Sequence, residues 1–389
     1  MVPQAILSKA AWLCLTPGAR SKGNLVANSN GTFKIIPGKN GHGDHIFSVV
    51  VKRTFRITHG GVAERCATDS ELRKIDAYYD DGDPEWATVQ YEYELAPFKP
   101  AVDVVVIGKA YAPGGELTTR MPVSVQVGGH EKSITVFGDR ECQYRPEMPP
   151  LFSDPKPFKE MEIRYERAYG GRDEISIPEI PFFYPRNHMG VGIALRNKEE
   201  TVQGLALPNL EDPHDLLTPE RIIVEEPENW HQQPLPQGFG WFQRTWYPRC
   251  AHAGSYPAYV DVDTVTTEER LGLLPKNHIA LAKQFKLPSS HPRMHNGASH
   301  GMVFSAIKGG ENVCLRGLSP NGLLEFTLPG ETPAVTLDIG SGAQPLHAVL
   351  DTISIRPDDL ELDLIWRATC IYEGYAWLPQ MKKLQAEVH

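Results

Sequence analysis

From Phe47 to Ile57 the chain reads Phe-Ser-Val-Val-Val-Lys-Arg-Thr-Phe-Arg-Ile, with odd positions mostly apolar and even positions mostly polar. A period of two fits a β-strand with one buried and one wet face, because successive strand side chains leave on opposite sides. Met121 to Val127 alternates in the same way, and Gly128-Gly129 then turns the chain into Ser133 to Phe137. Met161 to Tyr169 is rich in Glu and Arg, yet its apolar residues lie two apart, so a strand is expected there as well. Val104 to Ile107, Leu323 to Leu328, Val335 to Ile339, Ala348 to Ile355 and Leu360 to Ala368 read as further strands between Gly, Pro and Asn turns.

The 34 glycines and 33 prolines among 389 residues exceed the usual ~12% of a chain and suit a turn-rich β protein. Helical signals are few: Thr266 to Leu274, with Glu268 and Glu269 in the first turn, then Ile279 to Phe285 and Leu378 to Val388. The expected architecture is mainly β: two β-sandwich-like halves packed together, with a few short helices and long loops. The halves span 1–197 and 238–389. Between them, 198–237 is acidic and Pro-rich, as in Glu225-Glu226-Pro227-Glu228, and reads as a long irregular connection pinned by Trp230.

Charge narrows the function classes. Lys and Arg number 39 against 48 Asp and Glu, a formal net charge of −9, which argues against a nucleic-acid phosphate backbone or an anionic membrane surface as the main partner. The six cysteines are scattered without a CxxC pair and are expected to be free thiols. The N-terminal segment lacks a basic leader region and no 18-residue apolar run occurs, so a cytoplasmic location is expected.

Candidate chemistry is sparse. Gly297-Ala298-Ser299-His300-Gly301 fits the G-x-S-x-G string, and Asp338 and His347 follow in the hydrolase order Ser, Asp, His. The residues before it do not form the hydrophobic strand that a nucleophile elbow requires, so a serine hydrolase is an alternative reading. His291, His295 and His300 have the residue type of a zinc site, but no H-E-x-x-H occurs and loop histidines are the expectation. Gly190-Val191-Gly192 begins like a dinucleotide fingerprint, with Leu195 in the place of its third glycine, so no cofactor is expected. Trp241 and Trp246, with Phe239 and Phe242, suit stacking on sugars, as in a carbohydrate-binding β module, or on bases, and equally core packing or a protein interface. The lack of a convincing catalytic set favours binding over catalysis.

Ordered strings along the chain resemble one family. They include Val51-Lys52-Arg53-Thr54-Phe55, Ala96-Pro97-Phe98-Lys99-Pro100 leading to Asp103, and Gly138-Asp139-Arg140. Farther on come Tyr165-Glu166-Arg167-Ala168-Tyr169-Gly170-Gly171, Tyr184-Pro185-Arg186-Asn187, Trp246-Tyr247-Pro248-Arg249, Leu350-Asp351-Thr352 and Trp366-Arg367-Ala368. Over roughly residues 45 to 370 the chain is similar to the adaptor, or effector-chaperone, family encoded beside PAAR tip and VgrG spike genes in bacterial type VI secretion clusters. It departs at His188, where that family usually has Pro after the Asn. The resemblance implies a cytoplasmic, non-enzymatic protein that binds a type VI effector through its PAAR or PAAR-like tip region and assists loading onto the VgrG spike. Within these strings Tyr165, Arg167, Tyr169, Gly170, Gly171, Asn187, Trp246 and Arg249 are the candidate partner-binding residues, since aromatics and Arg suit a hot spot. The acidic stretch Glu211 to Glu228 is a second candidate surface for a basic cargo.

Overall fold

The computed structural model describes residues 32–40, 44–179, 181–252, 292–339, 342–372 and 384–389. Its strands include β1 (Phe33–Lys39), β2 (His45–Arg56), β3 (Val102–Val106), β4 (Arg120–Val127), β5 (His130–Phe137), β6 (Leu210–Glu211) and β7 (Val303–Phe304). There follow β8 (Asn312–Arg316), β9 (Leu323–Thr327), β10 (Val335–Asp338), β11 (Ala343–Leu346), β12 (Ala348–Arg356), β13 (Glu361–Ile371) and β14 (Gln385–Val388). The protein is mainly β, as the alternation predicts.

One large sheet runs β1-β2-β13-β12-β3-β7, antiparallel except where β12 and β3 run parallel. A second runs β6-β5-β4-β8-β9, and a small one β11-β10-β14. Both large sheets therefore take strands from before residue 197 and from after 238. The boundaries drawn at 197/198 and 237/238 do not separate two sheets. Val49, Val51 and Phe55 of β2, Val123 and Val125 of β4, and Ile353 and Ile355 of β12 all join one hydrophobic cluster, so the two large sheets share a core.

Strand β2 departs from its expected wet face: Ile46 to Phe55 is buried throughout. Its second face lies under the loop that precedes β3. Leu72 and Leu95 of that loop pack with Val50 and with Ile365 of β13. Lys52 Nζ lies 2.8 Å from Glu94 Oε1 and 3.4 Å from Asp363 Oδ2, while Thr54 Oγ1 donates to Asp363 Oδ1 at 2.7 Å. A polar face can be covered when each charge on it meets a partner.

Three local expectations are corrected. The strand expected over Met161 to Tyr169 is confined to Glu160–Glu162; Tyr165–Arg167 forms a 3-10 turn. Among the described residues no strand ladder continues along this stretch beyond Glu162: Ala168 and Tyr169 make only isolated bridges, to Leu210 and Val191, and the Tyr165 N–H donates to Thr88 Oγ1. The 198–237 stretch is more than a loose connection. It holds a short helix (Glu199–Val202) and β6, which pairs with β5. Val202, Leu207, Leu217, Ile222, Val224 and Trp230 form a second core with Tyr169, Tyr184 and Ile193, so Trp230 does pin the stretch. Gln385–Val388 is a strand rather than the end of a helix. The helices expected at Thr266 to Leu274 and Ile279 to Phe285 lie outside the described residues. Among the described residues Cys66, Cys142, Cys314 and Cys370 are free thiols, and no helix is long and apolar enough to cross a membrane.

Candidate functional site

Two sequence strings meet in one backbone knot. Gly170 N–H donates to Val191 O at 3.0 Å, Gly171 N–H to Asn187 O at 2.8 Å, and Val191 N–H to Ala168 O at 3.1 Å. Asn187 Nδ2 crosses the knot, donating to Tyr165 O at 2.8 Å and Tyr169 O at 3.2 Å. Glycine is required here by space. A Cβ on Gly170 would overlap the Asn187 carbonyl oxygen, and one on Gly190 would lie 2.5 Å from both Ala168 O and Asn187 Nδ2. Gly171 and Gly192 also adopt positive φ, 119° and 104°, which side-chain-bearing residues rarely adopt.

The knot forms the floor of a surface cleft of about 460 Å³. Gly170, Gly171, Gly190, Val191 and Gly192 line it below, with Trp86, Arg172, His188 and Met189 among its walls. Trp86 is 38% exposed, unusual for an indole beside so much buried structure. The Arg172 guanidinium lies 4.3 Å from the Trp86 ring centroid, and the His188 ring meets Trp86 edge-on at 5.2 Å. Phe183 leans on the same indole at 6.5 Å. His188 is held at both ring nitrogens. Trp246 Nε1 donates to His188 Nδ1 at 3.2 Å, so the ring proton sits on Nε2 and points to Glu85 O at 2.8 Å. Burial first, and Arg172 to a lesser degree, lower the His188 pKa, so the ring is neutral at pH 7.

Most of the candidate partner-binding residues build this site from below rather than face a partner. Tyr165, Tyr169, Asn187 and Trp246 are at most 2% exposed and Arg249 is 5% exposed. As direct contact residues they are corrected: a side chain with no exposed surface cannot touch a docking protein. Trp246 packs edge-on against Tyr165 and Phe242 at 5.3 and 5.0 Å. Arg249 donates to Glu92 Oε1 and to Met294 O, both at 2.7 Å. Arg167 is half-buried, bonded to Asn209 Oδ1 and 3.3 Å from Asp139. Gly170 and Gly171 do line the cleft. Within the acidic stretch, Glu211 is buried against Arg140 and its Oε2 accepts the Leu217 N–H at 2.7 Å, so it belongs to the scaffold and not to a solvated acidic loop.

The family strings between β2 and β13 carry buried charge pairs that tie loops to the sheet. Asp103 pairs with Lys99 and accepts from Asn296 Nδ2, Gly297 N and Ala298 N at 3.1 to 3.2 Å. Asp351 sits at a β-bulge in β12 and pairs with Arg367, whose Nε donates to Ala96 O at 2.6 Å.

The alternative chemistries do not assemble. Ser299 is fully buried, and its Oγ accepts from Lys132 Nζ at 3.1 Å. Lys132 also donates to Gly238 O and His300 O, each at 2.7 Å. Among the described residues no hydrogen bond links Ser299 to His347, and Asp338 Oδ1 accepts from Gly342 N–H in the small sheet. His291 lies outside the described residues, and no group of three His, Cys, Asp or Glu suited to a metal occurs among those described. Trp241 is 5% and Trp246 1% exposed, leaving no indole face for a sugar.

The residues that sequence reasoning missed are Trp86, Arg172, Phe183 and His188. A signal existed: Asp83-Pro84-Glu85-Trp86 puts a tryptophan in a polar turn with no alternating neighbours to bury it. Fold and cleft define a class: a multi-sheet β protein whose buried charges anchor its loops beneath an aromatic-rimmed surface cleft. The chain belongs to a bacterial family. Residues 42–367 match the one described as "Uncharacterized protein conserved in bacteria (DUF2169)". No curated protein and no solved structure matches the chain.

Proposed function

We propose that this protein is a cytoplasmic adaptor that binds a type VI secretion effector through a PAAR or PAAR-like tip region and assists its loading onto the VgrG spike. The observation that carries the reading is the Trp86 cleft: an exposed indole and an arginine mounted on a glycine floor that cannot shift without breaking the knot beneath it. Rigid aromatic and Arg anchors are what a protein-binding hot spot uses, because little freedom is lost on docking. The ordered adaptor-like strings between about residues 45 and 370 support the same reading. Handing cargo on requires moderate affinity, which is set mostly by the dissociation rate.

Co-expression with the open reading frames that neighbour its gene is the test, the adaptor reading requiring one of them to encode an effector. The effector is expected to co-purify and to gain soluble yield. An effector that neither co-purifies nor gains yield refutes the adaptor role.

A further inference from the structure

The geometry points to the Trp86–Arg172 cleft as a docking groove for an extended peptide segment bearing an acidic side chain, a specificity that rests on the adaptor reading for its biological source. Two observations converge. Gly192 is buried there, and among the described residues its N–H makes no hydrogen bond, leaving a donor for an incoming carbonyl. Arg172 Nε lies 2.8 Å from Glu174 Oε2, and among the described residues its two Nη groups make no hydrogen bond.

The guanidinium carbon lies over the indole, 4.3 Å from the ring centroid, and its planar fork can take a carboxylate through two parallel hydrogen bonds. Charge selects among anions. Arg172 is the single full positive charge in the lining, His188 is neutral, and Glu174 and Glu85 stand close by. That balance suits one carboxylate and disfavours a phosphate dianion, which needs more than one cation. Met189 and Leu205 give the rest of the groove apolar surface for the neighbouring side chains of the same peptide.

The test pans a phage-displayed library of random 12-residue peptides on the full chain and titrates the enriched peptide by Trp fluorescence and calorimetry. Enriched sequences are expected to share an Asp or Glu beside apolar residues. Trp86→Ala and Arg172→Glu should each weaken binding at least tenfold. Glu174→Gln, which removes the internal competitor for Arg172, should tighten it several-fold. Leu117→Ala, at an exposed residue that does not line the cleft, should change nothing. Because Trp86 and Arg172 are exposed, unchanged thermal midpoints will separate lost binding from misfolding. No enrichment, binding indifferent to these variants, or inorganic phosphate bound as tightly as the peptide would each overturn the proposal. The two readings fail separately. Arg172→Glu that still co-purifies the effector in full removes the groove and leaves the adaptor. A wild type that captures no effector removes the adaptor, while the peptide titration still judges the groove.

Discussion

At the scale of single residues, glycine and histidine carry the tightest constraints. Gly170→Ala places a methyl group into the Asn187 carbonyl at a φ of 153°. It is expected to cost at least ~3 kcal/mol, at the upper end for single substitutions, since the knot must open to admit it. Gly114→Ala is the contrast: nothing lies within 4 Å of a Cβ there, so only the strain of a φ of 64° remains, about 1 kcal/mol. Urea denaturation midpoints of the two variants check the difference. Histidine sets an acid limit. Burial lowers the pKa of His188, and burial followed by Arg367, Arg249 and Arg244 lowers that of His295 to about 3. Both folded values lie below that of an unfolded histidine, near 6.5. The unfolded chain therefore takes up protons first as pH falls, and stability is complete above pH 6.5 and declines toward pH 3. Urea midpoints should fall between pH 7 and pH 5, and the His295 ring resonance should remain that of a neutral imidazole at pH 5. An imidazolium signal there would contradict the assignment.

At the scale of elements, the decisive devices are buried carboxylates that gather backbone. Asp103 in β3 holds Lys99 and the 296–298 segment at once. Asp103→Ala leaves the Lys99 ammonium buried and unpaired, for an expected loss of ~3–5 kcal/mol. The double variant Asp103→Leu with Lys99→Met removes both charges and should recover part of that loss, since an apolar pair of similar volume is often tolerated. If the double variant is no better than the single one, the loop bonds matter more than the ion pair. Glu92 is a second such anchor. Burial opposes its ionisation, but Arg244 and Arg249 outweigh that and hold its pKa below the ordinary carboxylate value. Strands were legible at this scale wherever alternation met a partner strand, as in β2, β4, β12 and β13. Met161 to Tyr169 was misread because alternation reports which side chains are buried, not whether a second strand lies alongside. Here its tyrosines are buried in two different cores by a turn.

At the scale of the whole molecule, the sheets weave the two ends of the sequence together. β3 is bonded to β12 and β7, and β4 to β8, all from beyond residue 237. A fragment of residues 1–197 would expose the partner edges of both strands and half of the shared core. It is expected to be unfolded or aggregated by circular dichroism and amide-proton dispersion, and a well-dispersed fragment would show that the N-terminal half is self-sufficient. By the same argument the intact chain should lose the β2 and β8 amide signals in one urea transition rather than two.

Alternation, turn composition and charge by themselves determined that this chain is a β protein with many turns, with its strands close to where they lie. Those are local properties, written in side-chain period and in glycine and proline placement. Tertiary structure alone decided that the polar face of β2 is covered, that Tyr165 and Trp246 are core, and that Trp86 and Arg172 stand at the surface. Each of those outcomes depends on which distant segment arrives opposite, and no local pattern records the partner.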